Sequence, residues 1–449
     1  MNDLPILPVK NEHVDVLYRF SSSHKHLVNT FISTPYSQKT KTQWKRFYNA
    51  LHQAKKKAIQ SKIQLQFKWL DSIPKGEKFH VIPTNIQHEI NNKCQYFLQF
   101  SLQLPNRRFT VHICRDKKRI PFLRIEKILL WFHFVNPFID STCSNEVHVY
   151  FYDIGLKKQL PRGISSPLPP GSASNVLSPT LDTEHINTAF TFVSKQCSTE
   201  TSIYIFRYEE FFKVLLHETC HNLGFDFLSI SDSILENQNS KLLELFQLSP
   251  MDLRFNESYC ELCARILNSM IYVLYNKSKI KQRKGKFSKT AKQLKIRPVQ
   301  SRHLQTRYKK MIDQDYYLWR QVFAYEQLFS LIQCTKLLKY NHLRFEDLGN
   351  FEKGKLYREN TQGFSYFVLS SIFMFFLNDF FLWQSKFAKG SLNLAKTEEC
   401  TNEYISIIQD KMNNKQYLEA LTNIESSLEK EKNPVFLKSL RMSILSSLP

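Results

Sequence analysis

Residues 213–227 read KVLLHETCHNLGFDF, two histidines four apart with a glutamate after the first and a glycine just past the second. Positions four apart share one face of a helix, so His217 and His221 can present both imidazoles to one point. The flanking residues predict that helix. Glu209 and Glu210 suit the positive end of its dipole, Phe211, Phe212, Val214, Leu215 and Leu216 supply an apolar surface, and Gly224 fits a left-handed terminating residue. A helix this apolar is buried, and two histidines and a glutamate within it need a reason beyond solubility.

Zinc is such a reason, because it takes neutral imidazole nitrogens tetrahedrally and keeps one position open for water when catalytic. Glu218 can then reach the metal-bound water as a general base, and the metal lowers that water's pKa to about 7. A third ligand is offered by RFNESYCELCARILN (254–268), where Glu257 and Glu261 are again four apart at the start of an apolar helix. One carboxylate can bind the metal while the other takes a proton from a ligand imidazole. The same two acids also suit a helix N-terminus with no metal at all. Two further metal readings stay open. Cys260 and Cys263 form a C-x-x-C that could complete a structural Cys2His2 zinc with His217 and His221. Asp226 could be a ligand, although the long metal-binding consensus wants one six residues after the second histidine, where Phe227 stands.

Outward from this stretch, residues 1–77 read as a basic helical region, with Trp44–Gln60 its clearest amphipathic piece. From residue 78 the texture turns strand-like in FHVIPTNI (79–86), CQYFLQFSLQL (94–104), RFTVHIC (108–114) and EVHVYFYDI (146–154), with helical length and period over Arg124–Val135. Leu160–Asp182 is Pro-rich and small-residue-rich, which predicts a loop. Two more strand-like runs, 187–193 and 202–207, lead into the histidine helix. Thr188, Ala189 and Phe190 open an alternating run that suits an edge strand with free backbone donors and acceptors, whereas Ile203–Phe206 is evenly apolar and reads as interior. Beyond Phe255 nearly everything is helical. The expected fold class is therefore α+β: a twisted mixed sheet backed by helices, then a mostly helical C-terminal half. Its parts are a basic N-terminal region (1–77), a β-rich unit with the histidine helix (78–254), a helical unit with a basic insertion (255–398, insertion 277–310) and a C-terminal helical pair (399–449). The apolar run Phe364–Trp383 carries Ser365, Ser370, Ser371, Asn378 and Asp379, which favours a buried helix over a membrane span.

With 42% hydrophobic residues and 14% aromatics the 449-residue chain is globular rather than disordered. Its net charge of +22 is concentrated in 277–310, which holds fourteen Lys or Arg and no acid. Such a segment attracts nucleic acid or an acidic partner weakly and without sequence preference; without interleaved aromatics it is equally a solvated insertion. Nine cysteines, an odd number without regular spacing, fit free thiols in a reducing intracellular compartment. The opening residues carry no secretory signal pattern.

HETCH followed by NESYCE resembles the gluzincin pattern of zinc metallopeptidases. The runs INTAFTF, IFRYEEFFKVLLHETCHNLGFDF, NESYCELCARILN and YRENTQGFSYFVLSSI further resemble a group of metallopeptidase-like proteins of giant nucleocytoplasmic DNA viruses, over roughly residues 85–385. The resemblance implies a zincin-like fold and a hydrolase cutting peptide or protein substrates, with a location in the host cytoplasm or the virion. It implies His217, His221 and Glu257 as zinc ligands, Glu218 as general base and Glu261 hydrogen-bonded to a ligand histidine. It also implies substrate backbone on a sheet edge and a transition-state donor from the helical half, for which Tyr357 and Tyr259 are candidates. Two rival functions stay beside it: a catalytically silent zincin-fold binding or virion structural protein, and a structural Cys2His2 zinc protein with a nucleic-acid-binding basic segment.

Overall fold

The computed structural model describes residues 5, 7–8, 12–139, 144–161, 178–192, 200–227, 229–280 and 301–445, with 301–309 by backbone alone. Its fold class is α+β. Six strands form one mixed sheet: β1 (Lys68–Leu70), β2 (Tyr96–Leu104), β3 (Arg107–Arg115), β4 (Glu146–Tyr152), β5 (Ala189–Phe192) and β6 (Glu200–Ile205), in the spatial order β1-β2-β3-β4-β6-β5. The pairs β3/β4 and β4/β6 are parallel and the other three antiparallel.

Strand alternation divides the apolar side chains between two faces. Leu98, Phe100 and Leu102 of β2, Phe109, Val111 and Ile113 of β3, Val147, Val149 and Phe151 of β4 and Ile203 and Ile205 of β6 join the main core with the helices. The opposite face carries stacked rings from four neighbouring strands, His112, Tyr150, Tyr204 and Phe190. Beside them Phe79, Ile82, Ile86 and Ile90 pack on Tyr152 and Tyr204 in a second, smaller core. Gly76 crosses this layer with a positive φ of 60°, and a Cβ there would lie 2.4 Å from the Tyr204 hydroxyl.

Residues 79–86, expected as a strand, are instead a 3-10 turn (Phe79–Val81) and the start of the helix Thr84–Lys93. The apolar residues Phe79, Ile82, Ile86 and Ile90 recur every three to four positions, a helical period, and Pro83 starts the helix rather than breaking a strand. Strand β1 lies inside the region expected to be helical. Three residues long, it shows no alternation that a sequence reading can register. Helices Glu12–Ser23, Lys25–Ser33 and Gln38–Gln64 account for the rest of that region. Most of the Pro-rich loop, Val193, and residues 281–300 of the basic segment lie outside the described residues; of the remainder, Lys277 pairs with Asp315 at 2.9 Å.

The C-terminal half is helical as expected, with Phe255–Asn276, Ser301–Tyr340, Glu398–Met412 and Lys415–Leu428 its main elements. The apolar run near 364–383 is largely buried but not one helix. It is a π-helical segment (Phe364–Leu369) running into Ser370–Phe375, followed by Leu377–Phe387 at a bend of 96°. Among the described residues no single helix is long and apolar enough to cross a membrane. After Pro434–Lys438 the chain does not stay at the surface. Leu440 to Leu445 are buried, and Glu210 and Glu326 accept backbone N–H groups of residues 442–445.

Candidate metal centre

The sheet delivers the chain from β6 into the histidine helix, Phe211–Asn222, every residue of which is buried. Glu210 makes the turn with a left-handed backbone (φ 59°), and its carboxylate serves Lys158 and the C-terminal segment. Gly224 (φ 67°) ends the helix, with Gly224 N–H donating to His221 O at 3.0 Å and Phe225 N–H to Cys220 O at 2.8 Å. That reversal turns Asp226 back beneath the helix.

The first turn of Phe255–Asn276 lies against this helix and brings Glu257 to both histidines. His217 Nε2 is 3.0 Å and His221 Nε2 3.1 Å from Glu257 Oε2, and the two nitrogens are 3.2 Å apart. Three lone-pair-bearing atoms thus meet at one point, and the side chains can hold a metal ion. Burial opposes the charge on each of them, yet their mutual attraction prevails. The Glu257 carboxyl is held well below the usual carboxylate range by the two histidines, while Glu257 and Glu261 raise His217 to about 9 and Glu257 and Asp226 raise His221 well above its usual range. The carboxylates therefore gather positive charge here, and a dication can take the place of the two protons.

Each imidazole is backed by an acid on its other nitrogen. Asp226 Oδ2 is 2.6 Å from His221 Nδ1, and Asp226 is 0% exposed. Glu261 Oε2 lies 3.4 Å from His217 Nδ1, within ion-pair range but off hydrogen-bond alignment, and is itself held at 2.7 Å by Lys213 and, through Oε1, by Arg265. Asp226, weighed in the sequence as a ligand, is thus placed to fix the tautomer of His221, the task assigned to Glu261 alone.

Glu218 points from the same helix into a small pocket lined by Thr188, Ala189, Val214, His217, Tyr366 and Met442 among others, with about 20 Å³ of free volume. Burial pushes its carboxyl above the usual range. Along this pocket runs β5, the outermost strand on its side of the sheet. Phe206 N–H donates to Thr188 O at 2.9 Å. Since antiparallel residues alternate between bonding inward and outward, Phe190 also bonds β6, and the N–H and C=O of Ala189 and Thr191 face the side of β5 on which no described strand pairs. Of the three edge residues named from sequence, only Ala189 offers its backbone outward. Thr188 precedes the strand, and Phe190 stacks its ring on Tyr204.

Neither candidate tyrosine reaches the three ligand atoms. Tyr357 donates to Glu359 at 3.1 Å and packs on Phe364; Tyr259 donates to Leu392 O and sits among Phe227, Phe380 and Trp383. Tyr366, on the π-helical segment, takes the place instead. Its hydroxyl donates to Glu257 Oε2 at 3.1 Å and its ring lies edge-on to His217. Ser365 Oγ donates to Arg254 O at 2.8 Å and so ties that segment to the start of the Glu257 helix. The only advance signal is a hydroxyl-bearing ring in a long, mostly apolar run.

The Cys2His2 arrangement is not assembled. Cys260 lies 3.6 Å from His221 Nδ1, the side away from His217 and Glu257, and Cys263 accepts from Gln384 at 3.7 Å. Among the described residues a second group that could hold a metal is His221, Asp226 and Cys260, and neither group includes Cys263. No protein-family model, curated protein or solved structure matches this chain.

Proposed function

We propose that the chain is a zinc-dependent hydrolase of peptide bonds on a zincin-type core of the gluzincin kind, with His217, His221 and Glu257 as ligands and Glu218 as general base. The observation that carries this reading is the meeting of His217 Nε2, His221 Nε2 and Glu257 Oε2 at separations of 3.0–3.2 Å. Tetrahedral zinc with nitrogen and oxygen ligands at about 2.0–2.1 Å sets those atoms roughly 3.3–3.4 Å apart, so the donor set needs to open by only a few tenths of an ångström. An antiparallel edge strand beside a histidine helix, with the third donor from a following helix, agrees with a zincin core.

When bound, zinc supplies Lewis acidity and brings the pKa of a water it holds to about 7. The protein's own groups do the rest. Glu218 takes the proton of the attacking water and returns it to the departing amine. Asp226 keeps the His221 proton on Nδ1, leaving Nε2 free to ligate. The outward N–H and C=O of Ala189 hold the substrate backbone as an added strand. The Tyr366 hydroxyl, already beside Glu257, donates to the oxyanion as the carbonyl is attacked.

The enclosure of the site favours one other reading. Glu218 is 7% exposed and the pocket holds about one water, as suits a metal kept for stability in a catalytically silent protein. Glu218→Gln separates the two. Under the hydrolase reading the wild type cleaves members of a broad peptide library, and the variant keeps its zinc but loses cleavage. A zinc-loaded wild type that cleaves nothing refutes the hydrolase.

A further inference from the structure

Part of the lining of the pocket that Glu218 enters comes from the far end of the chain. Leu160 N–H donates to Lys438 O at 2.9 Å and Leu440 N–H to Lys158 O at 3.0 Å, pairing the C-terminal segment with the residues before the Pro-rich loop. Glu210, at the start of the histidine helix, then accepts Met442 N–H at 3.2 Å and Ser443 N–H at 2.5 Å. Glu326 accepts the Ser443 hydroxyl at 2.7 Å and the N–H groups of Ile444 and Leu445 at 3.0 and 2.9 Å. The segment is tied by two of these five donors to Glu210 at the start of the helix that carries His217 and Glu218, and by the other three to Glu326 on the helix Ser301–Tyr340. Its one side chain in the pocket is Met442, 4% exposed, whose Sδ accepts from Lys213 Nζ at 3.4 Å. Lys213 is held in turn by Glu261 at 2.7 Å, so the thioether is pinned although methionine is otherwise a flexible side chain.

We propose that Met442 sets substrate choice, by filling the pocket beside Glu218 so that only a residue with a small side chain, glycine or alanine, fits where the substrate flanks the bond to be cut. The inference rests on the hydrolase reading and deepens it by naming the substrate class. The free volume of about 20 Å³ accommodates a water or a methyl group and no branched side chain. Of the other lining residues, Val214 and Ala189 belong to the histidine helix and the edge strand, whereas the C-terminal segment supplies Met442 without carrying a ligand or the edge.

The test uses the full-length zinc-loaded protein and two probes that ligate zinc directly, N-acetylglycine hydroxamate and N-acetylleucine hydroxamate, with binding read by calorimetry and zinc content by elemental analysis. The wild type should prefer the glycine probe by about tenfold or more, since even one methylene group shifts discrimination by about that factor. Met442→Ala should remove that preference by gaining affinity for the leucine probe, with the glycine probe and zinc content little changed. Met442→Val, which shortens the side chain while keeping it apolar, should give an intermediate gain and serves if the alanine variant does not fold. Equal binding of both probes by wild type, or a preference unchanged in the folded variant, overturns the role of Met442 while leaving the zinc site standing. Absence of zinc, or binding of neither probe to zinc-loaded wild type, overturns the hydrolase reading and this inference together.

Discussion

Asp226→Asn isolates the least expected part of the site. The Asp226 carboxylate is fully buried and meets His221 Nδ1 at 2.6 Å, the short distance of a charge-assisted bond. Hydrogen bonds to charged groups contribute up to about 3 kcal/mol, and neutral ones about half of that. Asparagine keeps an acceptor oxygen but no charge, so the change forfeits roughly 1.5 kcal/mol of support for His221 as a ligand. That equals a little over tenfold in zinc affinity, the lower end of the 10–100-fold cost typical of outer carboxylates. Zinc affinity measured by competition with a chromophoric chelator at fixed pH should therefore weaken by about tenfold, with the far-ultraviolet circular dichroism unchanged. An affinity within twofold of wild type refutes the orienting role. If instead Asp226→Asn and Cys260→Ser each abolish binding while Glu257→Gln keeps it, the metal lies on the Nδ1 side of His221 and the ligand assignment falls.

Tyr366→Phe should retain zinc and lower kcat by about 10²–10³ with little change in KM, the cost of one oxyanion donor; an unaltered kcat restricts the hydroxyl to orienting Glu257. Ala189→Pro removes an N–H that faces the open edge rather than β6, so peptide cleavage should fall at least about tenfold with zinc and solubility retained, whereas Tyr204→Pro breaks an interior strand and should yield insoluble protein. Full cleavage by the Ala189→Pro variant moves the substrate off β5. Burial pushes the Glu359 carboxyl up to about 8, against the hydrogen bonds from Phe364 N–H and the Tyr357 hydroxyl. With the folded pKa above the unfolded value of about 4.3, its contribution to stability is complete below that pH and is lost as pH rises towards 8. Glu359→Gln should flatten this decline in urea-unfolding free energy between pH 5 and pH 8, about 1.4 kcal/mol per unit at most; an unchanged slope places the titration elsewhere.

What the sequence disclosed is what short-range periodicity encodes. Four-residue spacing fixes His217 with His221, and Glu257 with Glu261, on single helix faces before anything is known of the fold, while β-rich composition marks β2 and β3 and alternation marks β4. Asp226 escaped because its role depends on the reversal at Gly224, which returns the chain beneath the helix it has just left. Tyr366 escaped because its partner is 109 residues away, and a π-helical segment aims it where an α-helical reading of the run does not. Residues 79–86 were misread because β-branched content and Pro83 masked a helical period that only the cover over Tyr152 and Tyr204 explains. The burial of 440–445 has only a weak local signal, the apolar Leu440, Met442, Ile444 and Leu445 with Arg441 and Ser443 between them. Glu210 and Glu326, far away in sequence, accept the backbone donors that make it tolerable.

X-ray absorption at the zinc edge on the purified full-length protein tests the ligand set most directly. Ligation by His217, His221 and Glu257 gives one zinc per chain and a first shell of nitrogen and oxygen at about 2.0–2.1 Å, with imidazole outer-shell features and no scatterer near the zinc–sulfur distance of about 2.3 Å. A sulfur shell, or a protein that holds no zinc after purification in zinc-supplemented buffer, contradicts it.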